Sequence, residues 1–230
     1  MPAMNWLQTL LITGLLTLLT GCLGGGGGSS SDLPSAPAAP LPANLTFMSA
    51  AGIGVSDLDA AVTLYKDGLG MREVARLVRD NRIEVVMQSA DRRGSQVVLM
   101  DFTDGVGRNF QQNPGKLVFY AKDAQAFADR FTAAGGRITV PPAPQPSVGN
   151  VVVGFGRDLD NNLIEIVGEP EATDSYFGAF GIGVSDLEAS RDFYVDVLGF
   201  EESQFLQIPG QYDEYILTSP VPGSSAVVLM

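Results

Sequence analysis

The feature that most constrains this fold is an internal repeat. The segment GIGVSDL at positions 52–58 returns at positions 181–187, and Tyr65 and Tyr194 match in the same alignment. A weaker copy, which opens at Lys122 and Asp123, lies between them. Internal repeats reflect repeated supersecondary units, and they outrank local propensity as a guide to architecture. The chain is therefore predicted to be built from one unit used three times.

Each unit has the pattern of a strand, a helix and three further strands. In the first unit an apolar strand over 47–55 leads to Ser56, which can cap a helix that Gly70 ends. In the third unit Ser185 and Glu188 have the spacing of a capping box. The remaining elements are strands near 71–78, 82–89 and 95–102, and, in the second unit, a helix over 123–134, a Pro-rich loop at 141–146 and strands near 150–156 and 162–167. The pattern predicts an α+β fold of βαβββ units.

Two sequence signatures resemble those of the vicinal oxygen chelate superfamily, which includes glyoxalases, bleomycin-resistance proteins and extradiol dioxygenases. Positions 56–58 with Tyr65 resemble the opening signature, and positions 158–166 resemble the closing one, although Leu159 and Asn162 replace its Pro and Gly. The resemblance covers 46–169 as a complete two-module domain and 176–230 as the first half of a second. It implies paired βαβββ modules that form a curved mixed sheet around a cavity, with a third, unpaired module at the C-terminus.

The third unit has no following unit to pair with, and its last predicted strand, 226–230, runs to the end of the sequence. We expect a chain truncated after Met230, with two alternatives: packing of this unit on the first domain, or pairing with another chain in a homodimer. Residues 171–230 hold ten acidic side chains and one basic one, Arg191, so two such units would repel each other. The Arg-rich strands over 72–93 are a better electrostatic match.

Metal-dependent members of the superfamily bind one divalent ion through two His or Gln and two Glu side chains, on the first and last strands of each unit. The resemblance places these positions at Ala50, Asp101, Lys116 and Glu165, with Ala179 at the first-strand position of the third unit. The chain contains no histidine, so imidazole ligands and catalysis by Ser-His-Asp or Cys-His are excluded. Alanine has no donor atom, and a protonated lysine repels a cation.

We therefore expect no catalytic metal, with weak binding of a divalent ion through Asp101 and Glu165 left open. Our sharper hypothesis is that the Lys116 ammonium lies where the metal would lie, paired with Glu165 and with Asp101 as a further candidate partner. The alternative is that Lys116 points to solvent and Glu165 is a surface acid. The two acids could also form a general acid/base pair.

Other side chains have less specific signals. Tyr120, Glu84, Gln88 and Arg157 could line the cavity or lie exposed, whereas the phenylalanines at 119, 127 and 131 are predicted to be core residues.

The N-terminus has the pattern of an export signal. No charged side chain precedes Asp32, and the apolar run over 6–20 is shorter than a membrane-spanning helix requires. Residues 19–22, Leu-Thr-Gly-Cys, resemble a bacterial lipobox. That resemblance implies a signal peptide at 1–21, a lipidated Cys22 and a Gly/Ser/Pro linker over 22–45. Leu23, in place of Asp, implies the periplasmic face of the outer membrane. A plain secretory signal or a buried cysteine are the alternatives.

Three function classes remain. The first is an envelope-anchored, metal-free protein that binds a small molecule; the second is a metal-dependent lyase or dioxygenase; the third is a non-catalytic envelope interaction module. With 26 acidic and 14 basic side chains and a net charge of −12, non-specific binding to nucleic acid is disfavoured. We expect a small-molecule ligand and a membrane contact through the lipid, and we leave catalysis open, with the balance against it.

Overall fold

The computed structural model describes residues 46–208 and 212–230. Three βαβββ units follow one another, as the repeat predicts. Their elements are β1 Ala50–Gly54, α1 Leu58–Thr63, β2 Met71–Arg79, β3 Arg82–Ser89, β4 Gln96–Phe102, β5 Lys116–Ala121, α2 Ala124–Ala133, β6 Arg137–Gln145, β7 Val151–Arg157, β8 Leu163–Gly168, β9 Tyr176–Ile182, α3 Leu187–Asp192, β10 Glu201–Ile208, β11 Tyr212–Thr218 and β12 Ala226–Leu229. The predicted α+β class is confirmed.

The predicted signal peptide and linker, with Cys22, lie outside the described residues, so they stay predictions. None of the helices in the described part of the chain is long and apolar enough to cross a membrane.

Aspartates, and not the predicted serines, cap the helices. The side chains of Asp57, Asp123 and Asp186 each accept a hydrogen bond from the backbone N–H three residues on. Ser56 and Ser185 lie one residue too early, because the extended backbone that an N-cap requires belongs to the aspartate. The capping register is therefore shifted by one residue, while the helices begin in the predicted places.

The strands form two sheets. The first unit forms a four-stranded sheet of order β1-β4-β3-β2. The other two units share an eight-stranded sheet of order β10-β11-β12-β9-β5-β8-β7-β6, joined where β5 pairs antiparallel with β9. Paired units and one unit outside the pair were expected. The second and third units share a sheet, whereas the first unit shares the main buried core with the second. The short connection over 169–175 carries the chain from β8 to the open edge of β5, as is usual for consecutive elements.

The Pro-rich segment expected to be a loop is the outermost strand of this sheet. β6 contains Pro141, Pro142 and Pro144, and its pairing with β7 is interrupted by two register shifts. Proline cannot donate a ladder hydrogen bond, so a strand rich in proline is tolerated only at an edge.

Alternation along the strands separates a core face from a second face. Leu117, Phe119, Ile164 and Ile166 point to the main core, together with the predicted core residues Phe127 and Phe131 of α2, and Phe119 also packs on Phe177. The residues between them, including Lys116, Val118 and Glu165, point the other way. The second face of the curved eight-stranded sheet therefore carries its polar groups away from the helices.

A buried hydrogen-bond network joins the first unit to the second. The Tyr65 hydroxyl donates to Asp158 Oδ2 at 3.0 Å, and the Ser56 backbone N–H donates to Asp160 Oδ2 at 3.0 Å. Burial raises the pKa of Tyr65, and it also raises the pKa of Asp158 despite the donors of Asn162 and Tyr65. The opening and closing signatures thus meet here, and their role in this contact is structural.

Candidate functional site

Three buried charged side chains meet on the second face of the eight-stranded sheet. Lys116 Nζ lies 2.9 Å from Glu165 Oε2 and 2.5 Å from Glu214 Oε1. We call Lys116, Glu165 and Glu214 the triad. The side chains of these residues are 6%, 14% and 7% exposed respectively. The predicted pairing of Lys116 with Glu165 is present in this geometry, and the solvent-facing alternative for Lys116 is not.

Strand register places the first two members together. Lys116 opens β5, and Glu165 is the direct partner of Val118 on the parallel neighbour β8. Since Val118 and Lys116 share a face, Glu165 lies one step along that face from the lysine. Glu214 comes from β11, beyond β9 and β12 in the same sheet, so the lysine side chain must extend across β9 to reach it.

A glycine makes that path available. Gly181 of β9 is the cross-strand partner of Lys116. A Cβ atom at position 181 would overlap with Cγ of Lys116 and would also approach its Cε. The absence of a side chain here therefore lets the lysine lie flat across β9, and this assigns a role to a glycine of the repeated GIGVSDL segment.

The two carboxylates decide the ionisation of the lysine. Burial acts to lower the pKa of Lys116, but the charges of Glu165 and Glu214 more than offset it, and the net pKa is raised. Burial raises the pKa of Glu165, and Lys116 counteracts part of that rise. Lys116 is therefore a fixed positive charge at neutral pH and not a free amine that could act as a nucleophile or base.

Aromatic and apolar groups surround the triad. The ring of Tyr212 lies 6.0 Å from Lys116 Nζ, and this residue is 41% exposed, so it stands at the open side of the site. Tyr120, four residues along β5 from Lys116, stacks on Tyr176 at 5.4 Å. Burial, reinforced by nearby acids, raises the pKa of Tyr120 to about 12. A buried apolar cluster on the same face includes the residues Val118, Ala179 and Val228.

The structure does not bring all four predicted positions together. Asp101 lies on β4 in the separate four-stranded sheet and makes no ion pair with Lys116. Its place beside the lysine is taken by Glu214. Ala50 lies on the exposed side of β1, against a mostly apolar pocket of about 320 Å³ that includes Phe180 and Phe200. Lys116 and Glu165 are thus the two positions that share a site.

The four candidates with less specific sequence signals also lie in different places. Tyr120 lies on the triad face, whereas Glu84 pairs with Arg82 at 2.6 Å in the other sheet. Gln88 is a partly buried residue of β3, also in that sheet. Arg157 donates to the backbone carbonyl of Asn161 at 2.9 Å.

Sequence reasoning missed Glu214 and Gly181. A signal for Glu214 was available: Glu84 of β3 and Glu214 of β11 occupy matching positions, since their following residues pair with Leu99 and Leu229 respectively. The role of Gly181 follows only from the antiparallel register of β5 and β9, which the sequence does not reveal.

The donor set does not fit a catalytic divalent metal. A cationic lysine lies between the two acids, and the first-strand positions Ala50 and Ala179 have no donor atom. The described residues contain no group of three or more His, Cys, Asp or Glu positioned to hold a metal ion. The side chains at this site therefore do not support a chemical step through a metal.

Comparison with solved structures supports the fold. Glyoxalase I from Zea mays is 21% identical, with a TM-score of 0.68 over 80% of this chain and 66% of that one. A candidate dioxygenase from Bacillus subtilis is 14% identical, with a TM-score of 0.60 over 81% of this chain and 64% of that one. This chain thus spans about two thirds of the length of these proteins, and identities this low show the fold alone.

A sequence comparison with curated proteins finds no match. The family model for the Glyoxalase/Bleomycin resistance protein/Dioxygenase superfamily matches residues 47–166 and 176–230. The match spans most of the chain, breaks between the second and third units, and agrees with three consecutive βαβββ units. The chain belongs to the Glyoxalase/Bleomycin resistance protein/Dioxygenase superfamily.

Proposed function

We propose that this chain is a small-molecule-binding protein that uses the triad face without a catalytic metal and is held at the outer membrane by a lipid on Cys22. One observation carries the proposal: the ammonium of Lys116 lies 2.9 Å from Glu165, the acid at the superfamily's metal-ligand position. The lysine supplies the positive charge that buried acids need. It offers no open coordination position to a substrate.

The surroundings of the triad support binding over chemistry. Ligand sites are usually concave and mostly apolar, with a few polar groups that fix orientation. The triad face has this composition, with an apolar cluster around Val118 and tyrosines at 120 and 212. Lys116 is held charged by its two acids, so its amine is not a ready base or nucleophile at neutral pH.

Metal content tests the first part of the proposal. The purified protein is incubated with Mn²⁺, Fe²⁺, Ni²⁺ or Zn²⁺, dialysed and measured by elemental analysis. We expect far less than one equivalent of any of these metals. A stoichiometric metal that is lost in a Glu165→Gln variant would overturn the proposal and support a metal-dependent lyase or dioxygenase.

Ligand binding tests the second part. A small-molecule library is screened by thermal shift, because a compound that binds only the folded state raises the melting temperature. We expect stabilising compounds whose effect changes when Tyr212 is replaced by Ala. Stabilisation by no compound would instead favour an interaction module.

The anchor is tested in cells. A Cys22→Ser variant should lose incorporation of labelled palmitate and leave the membrane fraction, whereas a Ser29→Ala variant should keep both. A Cys22→Ser protein that stays in the outer membrane fraction would contradict the lipid anchor.

A further inference from the structure

The triad holds two carboxyl groups and one ammonium group. Lys116 forms an ion pair with Glu165 and another with Glu214. Within the described residues, no other lysine or arginine forms an ion pair with Glu165 or Glu214. With all three groups ionised, the site has a formal charge of −1 in a region shielded from water.

The repeat provides an internal contrast. Glu84, which matches Glu214 in the first unit, lies 2.6 Å from Arg82 and 3.7 Å from Arg79. There one acid faces two cations, whereas at the triad two acids share one. Matching positions in the first and third units therefore have opposite charge balances.

Each acid keeps an oxygen for another donor. The lysine contacts Oε2 of Glu165 and Oε1 of Glu214, and no other described side chain or backbone group donates to either carboxylate. Glu165, the most exposed member, and Tyr212 leave the site open on one side. A donor that arrives from this side meets two partly desolvated carboxylate oxygens, to which charged hydrogen bonds are strong.

The walls of the site suit the body of such a ligand. The rings of Tyr120 and Tyr212 and the apolar cluster around Val118 lie on the same face as the acids. Tyrosine faces attract organic cations through the ring quadrupole. The Arg93–Glu169 ion pair at 3.8 Å, beside Tyr176, is balanced in charge and adds no net attraction for an anion.

We propose that the triad face binds an organic cation, a primary or secondary ammonium group carried on an aromatic or apolar body. This inference rests on the proposed function, because it names the ligand class of the same site. The ammonium donates to the oxygens that Lys116 leaves free on Glu165 and Glu214, and its body packs against the tyrosines. A carboxylate or phosphate ligand would meet two acids and a lysine whose charge is already shared.

The test uses three probes of one shape: benzylamine, benzyl alcohol and benzoate, which are cationic, neutral and anionic at neutral pH. Binding to the purified full chain in a non-ionic detergent is measured by calorimetry. Hydrogen bonds to charged groups are stronger than those between neutral groups, so benzylamine should bind roughly tenfold or more tightly than benzyl alcohol. Benzoate should bind more weakly than both.

Two variants assign the preference to the triad. Glu214→Gln leaves the neutral pair of Lys116 and Glu165, and it should reduce benzylamine binding to the level that the same variant shows for benzyl alcohol. Glu84→Gln alters the matching position of the other sheet and should preserve the wild-type order of the probes.

The outcomes separate this inference from the proposed function. Equal affinities for the three probes, a preference for benzoate, or binding of none of them would overturn the cation inference while metal-free binding of other compounds could stand. A benzylamine preference that Glu214→Gln retains would also overturn it. Binding that appears only after loading with a divalent metal and disappears with chelator would overturn the proposed function itself.

Discussion

Replacement of Lys116 by methionine tests the electrostatics of the triad directly. Methionine keeps most of the length and the apolar stem of the side chain but removes the ammonium, so Glu165 and Glu214 face each other without a cation. Removing one partner of a buried ion pair typically costs 3–5 kcal/mol, because it leaves uncompensated buried charge. We expect the free energy of unfolding to fall by about 3–5 kcal/mol at neutral pH.

The loss should depend on pH in a defined direction. Burial already raises the pKa of Glu165 above its ordinary value of 4.5, and the charge of Lys116 opposes that rise. Without the lysine the folded-state pKa rises further. A carboxyl whose folded pKa is raised contributes stability below the unfolded pKa and loses it as pH rises through the folded pKa. The variant should therefore approach the wild type under acidic conditions and differ most above neutral pH.

Urea denaturation at about pH 5 and about pH 8 measures both effects, since the midpoint and slope give the free energy of unfolding. The exposed Lys122 is the control: Lys122→Met should change stability by less than about 0.5 kcal/mol at either pH. A Lys116→Met protein as stable as the wild type at about pH 8, or a loss that is the same at both pH values, would refute a buried, charge-coupled triad.

Three further changes are expected to show in the same denaturation assay. Tyr65→Phe removes a donor from the buried carboxylate of Asp158 and should cost about 1.5–3 kcal/mol. Gly181→Ala places a methyl group against the stem of Lys116 and should cost about 1–3 kcal/mol through overpacking. Glu214→Gln leaves a neutral ion pair and should stay within about 1 kcal/mol of the wild type.

The repeat supplies a matched control for each change. Tyr194→Phe should be nearly neutral, because the hydroxyl of Tyr194 makes no hydrogen bond within the described residues. Gly52→Ala should cost less than Gly181→Ala, since an added Cβ meets only the flexible end of Met100, at 3.1 Å. Glu84 pairs with two arginines, so Glu84→Gln is the control for Glu214→Gln. It measures how much the free energy of unfolding changes when the matching glutamate of the first unit loses its charge. Equal losses of unfolding free energy within the tyrosine pair or within the glycine pair would contradict the assigned contacts.

Much of the fold was predictable from the sequence because the repeat is read along the chain. The strand and helix bounds agree closely, with Asp57 in place of Ser56 as the cap and β6 in place of a loop as the main local differences. Which units pair was not predictable in the same way. Pairing between β5 and β9 depends on which strand edge is free in space, and local sequence pattern carries little information about that.

Two of the three triad residues could be predicted from the sequence, for a related reason. Lys116 and Glu165 lie on adjacent strands of one unit, so counting along the signature places them together. Glu214 reaches the triad from another unit, across two intervening strands, and depends on the curvature of the sheet and on the space above Gly181. Contacts between units require the register between them, which a single sequence does not encode in any local pattern.

The comparison of Glu84 with Glu214 separates what the fold requires from what the site does. Both glutamates follow the same alternation, and both precede a fully or largely buried residue, Val85 or Tyr215, on the core face of the sheet. The strand pattern is therefore the same at both positions, whereas the partner cations differ. Glu84 pairs with two arginines, and Glu214 shares Lys116 with Glu165. Since the fold tolerates both balances, membership of the superfamily does not determine the chemistry of this face. The ratio of acids to cations sets the chemistry of the triad face, and that ratio favours a positively charged ligand.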